Sequence, residues 1–238
     1  MSASVPHRES GNVLFYILLA VVLFAALSFA VARIMQSGSG NPNREVGQLH
    51  SSDLIQYADG LKRAVQTMRI RSVEDGDFSF ETPDLAGYAP HASCSADSCR
   101  IFKPAGGGMN YMPPPDDWLD PAGDGQPLYR EWFFPAGVCV QGVGTGGAGC
   151  DTDGEDNEEL VVILPWVKRE LCIMINERLG VINTGGNPPV ASGPAWGGGK
   201  FTGTFADGTI IARAGETAAC LRDSGGASYF YYKVLLAR

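Results

Sequence analysis

Six of the nine residues from Asp151 to Glu159 are carboxylates, in the order Asp151-Thr152-Asp153-Gly154-Glu155-Asp156-Asn157-Glu158-Glu159. Hard oxygen donors at this density suit Ca²⁺, which takes about six to eight oxygen ligands. Asp151, Asp153, Glu155 and Asp156 are the candidate ligands. The spacing departs from the EF-hand loop, which places a third Asp or Asn before its Gly and a Glu further on. The same carboxylates also suit the start of a helix, where they accept from free amides and meet the positive end of the helix dipole. The second cluster is six cysteines: Cys94, Cys99, Cys139, Cys150, Cys172 and Cys220. An even number in a Gly- and Pro-rich chain points to disulfides and an oxidising compartment. Cys94 with Cys99 and Cys139 with Cys150 are spaced to close local loops, which leaves Cys172 for Cys220. Six cysteines allow many other connectivities.

Catalytic signatures are absent. The three histidines are His7, His50 and His91. His91 near Cys94 and Cys99 is a weak zinc pattern beside a disulfide reading. No Gly-x-Ser-x-Gly or His-Glu-x-x-His occurs. Gly193–Phe201 has the glycines of a phosphate loop, but Pro194 stands at its first Gly position and Phe201 replaces the Ser or Thr that holds Mg²⁺. The expectation is a non-enzymatic chain without a cofactor, Ca²⁺ aside. A formal charge of −8 with 18 Lys and Arg also argues against nucleic acid as a partner, because that binding needs phosphates neutralised.

The elements that must position these residues begin with an apolar run. Val13 to Ala32 is uncharged, and Ser28 is its one small polar interruption. Twenty helical residues span about 30 Å, the hydrocarbon thickness of a bilayer. A cleaved secretory signal is the competing reading. Its apolar core is shorter, about 7–15 residues, although Ala30-Val31-Ala32 offers a small-x-small cut site. Arg8 before the run and Arg33 after it leave the orientation open by the positive-inside rule. All six cysteines follow the run, so the residues after it are expected outside the cytoplasm.

The leader His7-Arg8-Glu9-Ser10-Gly11 abuts the apolar run at Asn12-Val13-Leu14-Phe15. This arrangement resembles the class III leader of type IV pilins and type II secretion pseudopilins, over about the first 35 residues. The resemblance implies cleavage after Gly11, with Asn12 as the mature first residue. It departs from the family at Asn12, where Phe or Met is usual, and at Tyr16, the fifth mature position, where the family carries Glu. That Glu neutralises a neighbouring N-terminal amine in the apolar filament core, and an unpaired charge there is costly. Its absence implies a minor or tip subunit. The implied partners are membrane lipid, other pilin-like subunits and their assembly machinery. The implied location is a single pass through the inner membrane with the C-terminal domain periplasmic or extracellular. A signal-anchored periplasmic binding or adhesion module is the alternative.

The expected organisation is a leader over 1–11, a transmembrane helix over 12–36, a linker over 37–50 and a head over 51–238. Ser51 or Ser52 can cap an amphipathic helix whose apolar stripe is Leu54, Ala58, Leu61, Val65 and Met68. Residues 72–154, dense in Gly and Pro, are expected to be irregular apart from short strands at Tyr129–Phe134 and Gly137–Gln141. Asn157–Gly180 reads as helical, kinked or divided at Pro165 and stopped by Gly180. Phe201–Phe205 and Thr209–Arg213 read as a hairpin around Asp207-Gly208, and Tyr229–Leu236 as a final strand. The fold class is α+β: helices first, then a disulfide-braced, mostly antiparallel sheet.

Overall fold

The computed structural model describes residues 11–37, 42–144, 150, 158–191, 199–206, 208–226 and 228–238. It separates into two units, Met1–Val46 and Gly47–Arg238.

In the first unit, helix α1 runs from Gly11 to Ser37 over 27 residues. Its stretch Val13–Val31 has a mean hydropathy of 2.8 and none of it is buried. In water that surface would be a large cost, at about 25 cal/mol per Å² of exposed apolar area. Helix α2, Pro42–Ile70, is 29 residues long. It starts nine residues before Ser51, so residues 42–50 are helical where a linker was expected. Proline at the first position suits a helix, because its missing N–H would have no intrahelical partner. Ser51 and Ser52 are not caps. Their hydroxyls donate back to the Gln48 carbonyl at 2.8 and 3.1 Å, inside the helix. The stripe Leu54, Ala58, Leu61, Val65 and Met68 is fully buried, as its spacing requires.

The head is built on a three-stranded antiparallel sheet in the order β2-β5-β4, with β2 Leu160–Leu164, β4 Ala218–Arg222 and β5 Tyr229–Leu236. Strand β5 pairs Val161 with Val234 on one side and Ala219 with Tyr232 on the other. Both faces of the sheet are covered. Leu160, Val162, Leu164, Cys220 and Tyr231 join the core that contains the α2 stripe. Val161, Ile163, Leu221, Phe230 and Tyr232 join a second core with Val138, Val140 and Ile211. The latter three belong to a two-stranded parallel pair, β1 Val138–Val140 with β3 Thr209–Ile211.

Double burial explains the main correction. Residues 160–164 are a strand, not the first turns of a helix. An apolar run flanked on both sides has no solvent face, so its alternation disappears from the sequence. Pro165 follows, and helix α3 is confined to Arg169–Leu179. Gly180 ends it in the left-handed region at φ 75°, as expected of a stop. The expected hairpin is also corrected. Thr209–Ile211 pairs in parallel with β1, and Phe201–Phe205 is irregular. A Cβ on Gly208 would overlap the Gly137 carbonyl, so only glycine permits this approach. Asp207 of the expected turn lies outside the described residues.

Tyr129–Phe134 is not a strand. Leu128 and Arg130 take positive φ, and only Phe133 bridges to Ile163. Regular pairing is replaced by tyrosines. The hydroxyl of Tyr88 accepts from Phe134 N–H at 2.9 Å, and that of Tyr57 accepts from Met112 N–H at 3.0 Å. Burial pushes the Tyr57 phenol up to about 12, against the lowering effect of its Met112 bond. It is therefore a neutral, permanent partner for irregular backbone.

Three disulfides close the head: Cys94–Cys99, Cys139–Cys150 and Cys172–Cys220. These are the pairs that spacing favoured. The third joins α3 to β4. Beside it, Asn176 Nδ2 donates to the Cys220 carbonyl and Asn176 Oδ1 accepts from Cys220 N–H, both at 2.8 Å. One amide thus does the work of a neighbouring strand on the β4 edge.

Candidate functional site

The residues singled out in the sequence fall at separate places. Gly11 and Asn12 form the first two positions of α1. Asp151, Asp153, Glu155 and Asp156 lie outside the described residues, as does most of the Gly193–Phe201 loop. Among the described residues, no group of three or more His, Cys, Asp or Glu side chains is placed to hold a metal ion.

His91 is close to a disulfide and is committed to backbone. Its Nδ1 accepts from Cys94 N–H at 3.0 Å and from Ser93 N–H at 3.3 Å. With Nδ1 accepting, Nε2 must carry the proton and donate to the Phe78 carbonyl at 2.9 Å. Burial lowers the His91 pKa, while the Phe78 bond, Asp77 and Glu81 raise it. Cys94 and Cys99 are oxidised together. A zinc site would need both thiolates and a free imidazole nitrogen, so these three residues form a structural clamp.

Two polar features escaped the sequence reading. The first is an ion pair between Asp59 of α2 and Lys233 of β5, with the lysine 8% exposed. It lies on the sheet face that packs against α2, beside the buried hydroxyl of Tyr231. Asp59 falls between the apolar positions of the α2 stripe and Lys233 interrupts an aromatic and aliphatic strand. A charge within a buried strand was the available signal.

The second is the carboxyl of Glu159. The residue is fully buried and immediately precedes β2. Its Oε2 accepts from Val140 N–H at 2.6 Å. Burial pushes this carboxyl up to about 7, Glu158 adds to the rise, and the Val140 bond, its own backbone N–H and Arg238 oppose it. The sequence placed Glu159 in an acidic run ahead of a helix. Because the following run is a buried strand, Glu159, the last carboxylate before it, is carried into the core.

An open groove of about 580 Å³ lies between α2 and the end of β5, lined by Lys62, Gln66 and Arg69 on one wall and Thr217, Leu235 and Leu236 on the other. Arg69 also engages Asp75 at 3.4 Å. The groove offers two cationic side chains above an apolar floor.

The chain matches no known protein-family profile, no curated protein and no solved structure. The functional reading therefore rests on α1 and on the head described above.

Proposed function

We propose that this chain is a non-enzymatic, single-span membrane protein of the pilin-like or pseudopilin-like kind, acting as a minor or tip subunit of an envelope filament or secretion system. The observation that carries the reading is α1. It is a 27-residue helix whose apolar stretch has no buried side chains, so it requires lipid or other copies of itself as solvent. The proposed cut after Gly11 falls ahead of the apolar stretch Val13–Val31 and not behind it. Tyr16 is 61% exposed at the fifth mature position and carries no charge to neutralise a neighbouring amine. Three disulfides in the head support an oxidising location outside the cytoplasm. The helix would hold the subunit in the inner membrane before assembly and pack among other subunits afterwards.

The test is the mature N-terminus. Co-expression with a prepilin peptidase, followed by intact mass measurement, should give a chain beginning at Asn12. Gly11→Leu should leave the precursor uncut. An N-terminus still at Met1, or one near residue 33, overturns the proposal. A second reading, a signal-anchored binding or adhesion module, is favoured by the groove at Lys62 and Arg69. That reading expects the Gly11→Leu chain to be indistinguishable from the parent.

A further inference from the structure

Strand β1 has two edges. One pairs with β3. On the other, a single residue supplies both a donor and an acceptor. Glu159 N–H donates to the Val138 carbonyl at 2.8 Å, and Glu159 Oε2 accepts from Val140 N–H at 2.6 Å. A carboxylate thus stands where the next carbonyl of a paired strand would be. Its second oxygen, Oε1, is buried and makes no hydrogen bond among the described residues. Gly144 closes that side; a Cβ there would sit 3.0 Å from Oε1. β1 itself contributes no titratable group, because its Cys139 is oxidised.

Among the described residues, two charged side chains act on Glu159. Glu158, 2% exposed, precedes it and disfavours its ionisation. Arg238 favours ionisation, but its guanidinium is engaged elsewhere. It stacks on the Phe205 ring at 3.8 Å, faces Asp75 at 3.8 Å and donates to the Glu158 carbonyl at 3.4 Å.

We propose that Glu159 is a proton-operated latch on the β1 edge, closed when its carboxyl is neutral and loosened when it ionises. The neutral acid keeps a carbonyl oxygen for Val140 N–H and brings no charge into the core. Ionisation leaves a buried anion with one oxygen unsolvated and a second carboxylate adjacent, which is costly unless water enters. Hydrating Oε1 requires the packing at Gly144 to open, and with it the edge that Glu159 closes. The sign follows from the upward shift. The folded pKa, about 7, lies above the ordinary 4.5, so the latch is fully closed below about pH 4.5 and is lost as pH rises through about 7. The device is therefore set at neutrality, and a head moved between compartments of different acidity would change the firmness of this edge.

Hydrogen–deuterium exchange on the full chain in detergent micelles tests the latch. Peptides covering residues 138–143 are followed at pH 5.5 and pH 8.5, with rates corrected for the intrinsic pH dependence of exchange. Protection should fall about tenfold or more at the higher pH, since each unit above the pKa is worth a factor of ten. Glu159→Gln keeps an acceptor for Val140 and cannot ionise, so its protection should be equal at the two pH values. Glu158→Gln removes a group that raises the Glu159 pKa, so ionisation should cost less and the fall at pH 8.5 should be smaller. Should Glu159→Gln fail to fold, carboxyl-labelled glutamate in the parent chain serves instead, with one resonance expected to titrate near neutrality. Unchanged protection in the parent, an undiminished fall in Glu159→Gln, or every glutamate titrating below about pH 5.5 would each overturn the proposal.

Discussion

Helices α1 and α2 have almost the same length, 27 and 29 residues, and opposite relations to their surroundings. In α1 leucines point outward on every side, with Leu14, Leu18 and Leu23 all more than half exposed. In α2 Leu54 and Leu61 are fully buried and the remaining faces carry Asp53, Gln56, Lys62 and Arg63. The difference lies in what each helix needs from outside itself: α2 is completed by the head, and α1 by a solvent that the chain does not supply.

Equivalent substitutions in the two helices should break this comparison most visibly. Leu61→Ala removes a buried side chain from α2, and the head should lose about 2–5 kcal/mol of stability in chemical denaturation. Leu18→Ala in α1 should leave that denaturation curve unchanged. Leu18→Arg should reverse the pattern, sparing the head while weakening membrane retention in a flotation assay by about 2.5–3.5 kcal/mol per charge. A head destabilised by either Leu18 change would show that α1 is part of its core.

The next effect concerns how the head holds itself without α1. Cys172→Ser with Cys220→Ser opens a bridge spanning 48 residues. A loss of about 2–4 kcal/mol is expected, measured by urea denaturation under non-reducing conditions. The paired Asn176 amide remains, so α3 should stay helical by circular dichroism. Smaller again is Asp59→Asn, which leaves Lys233 at the α2–β5 contact with no carboxylate. Asp59 is itself partly exposed, so a cost of about 1–2 kcal/mol is expected, below the value for a fully buried pair. Lys233→Met with Asp59→Leu should recover most of it.

The smallest effect is a pH dependence. The His91 pKa is lowered in the folded head. A depressed base contributes stability that is present above its unfolded pKa, about 6.5, and is lost as pH falls. Glu159 works in the opposite direction over the same range, so Glu159→Gln is the background to use. There, the melting temperature should drop by about 1–2 °C between pH 7 and pH 5.5. His91→Gln should remove that drop.

What could be read from the sequence followed how much of each element faced water. The α2 stripe was legible because its other faces are polar, and Tyr229–Leu236 because it is long and aromatic. Residues 160–164 were not, because cores on both sides erase the alternation that distinguishes a strand. The start of α2 was missed because Pro42 and Asn43 read as breakers, although proline is at home in a first turn. Local spacing carried two of the disulfides, and Cys172–Cys220 followed as the pair left over. Glu159 and the Asp59–Lys233 pair were hidden for a common reason. Each is a charge whose burial depends on what lies across the fold, and only Lys233, set within an apolar strand, left a local trace.

Strand order has a consequence for biosynthesis. The central strand of the sheet is β5, Tyr229–Leu236, while its neighbours β2 and β4 are made earlier. During synthesis, β2 emerges as five apolar residues before the strand that pairs with it is made. The sheet cannot close until residue 236 has been made. Until then the incomplete head exposes the surface on which partly made chains aggregate. A chaperone that shields Leu160–Leu164 during this interval would govern yield without touching the finished protein.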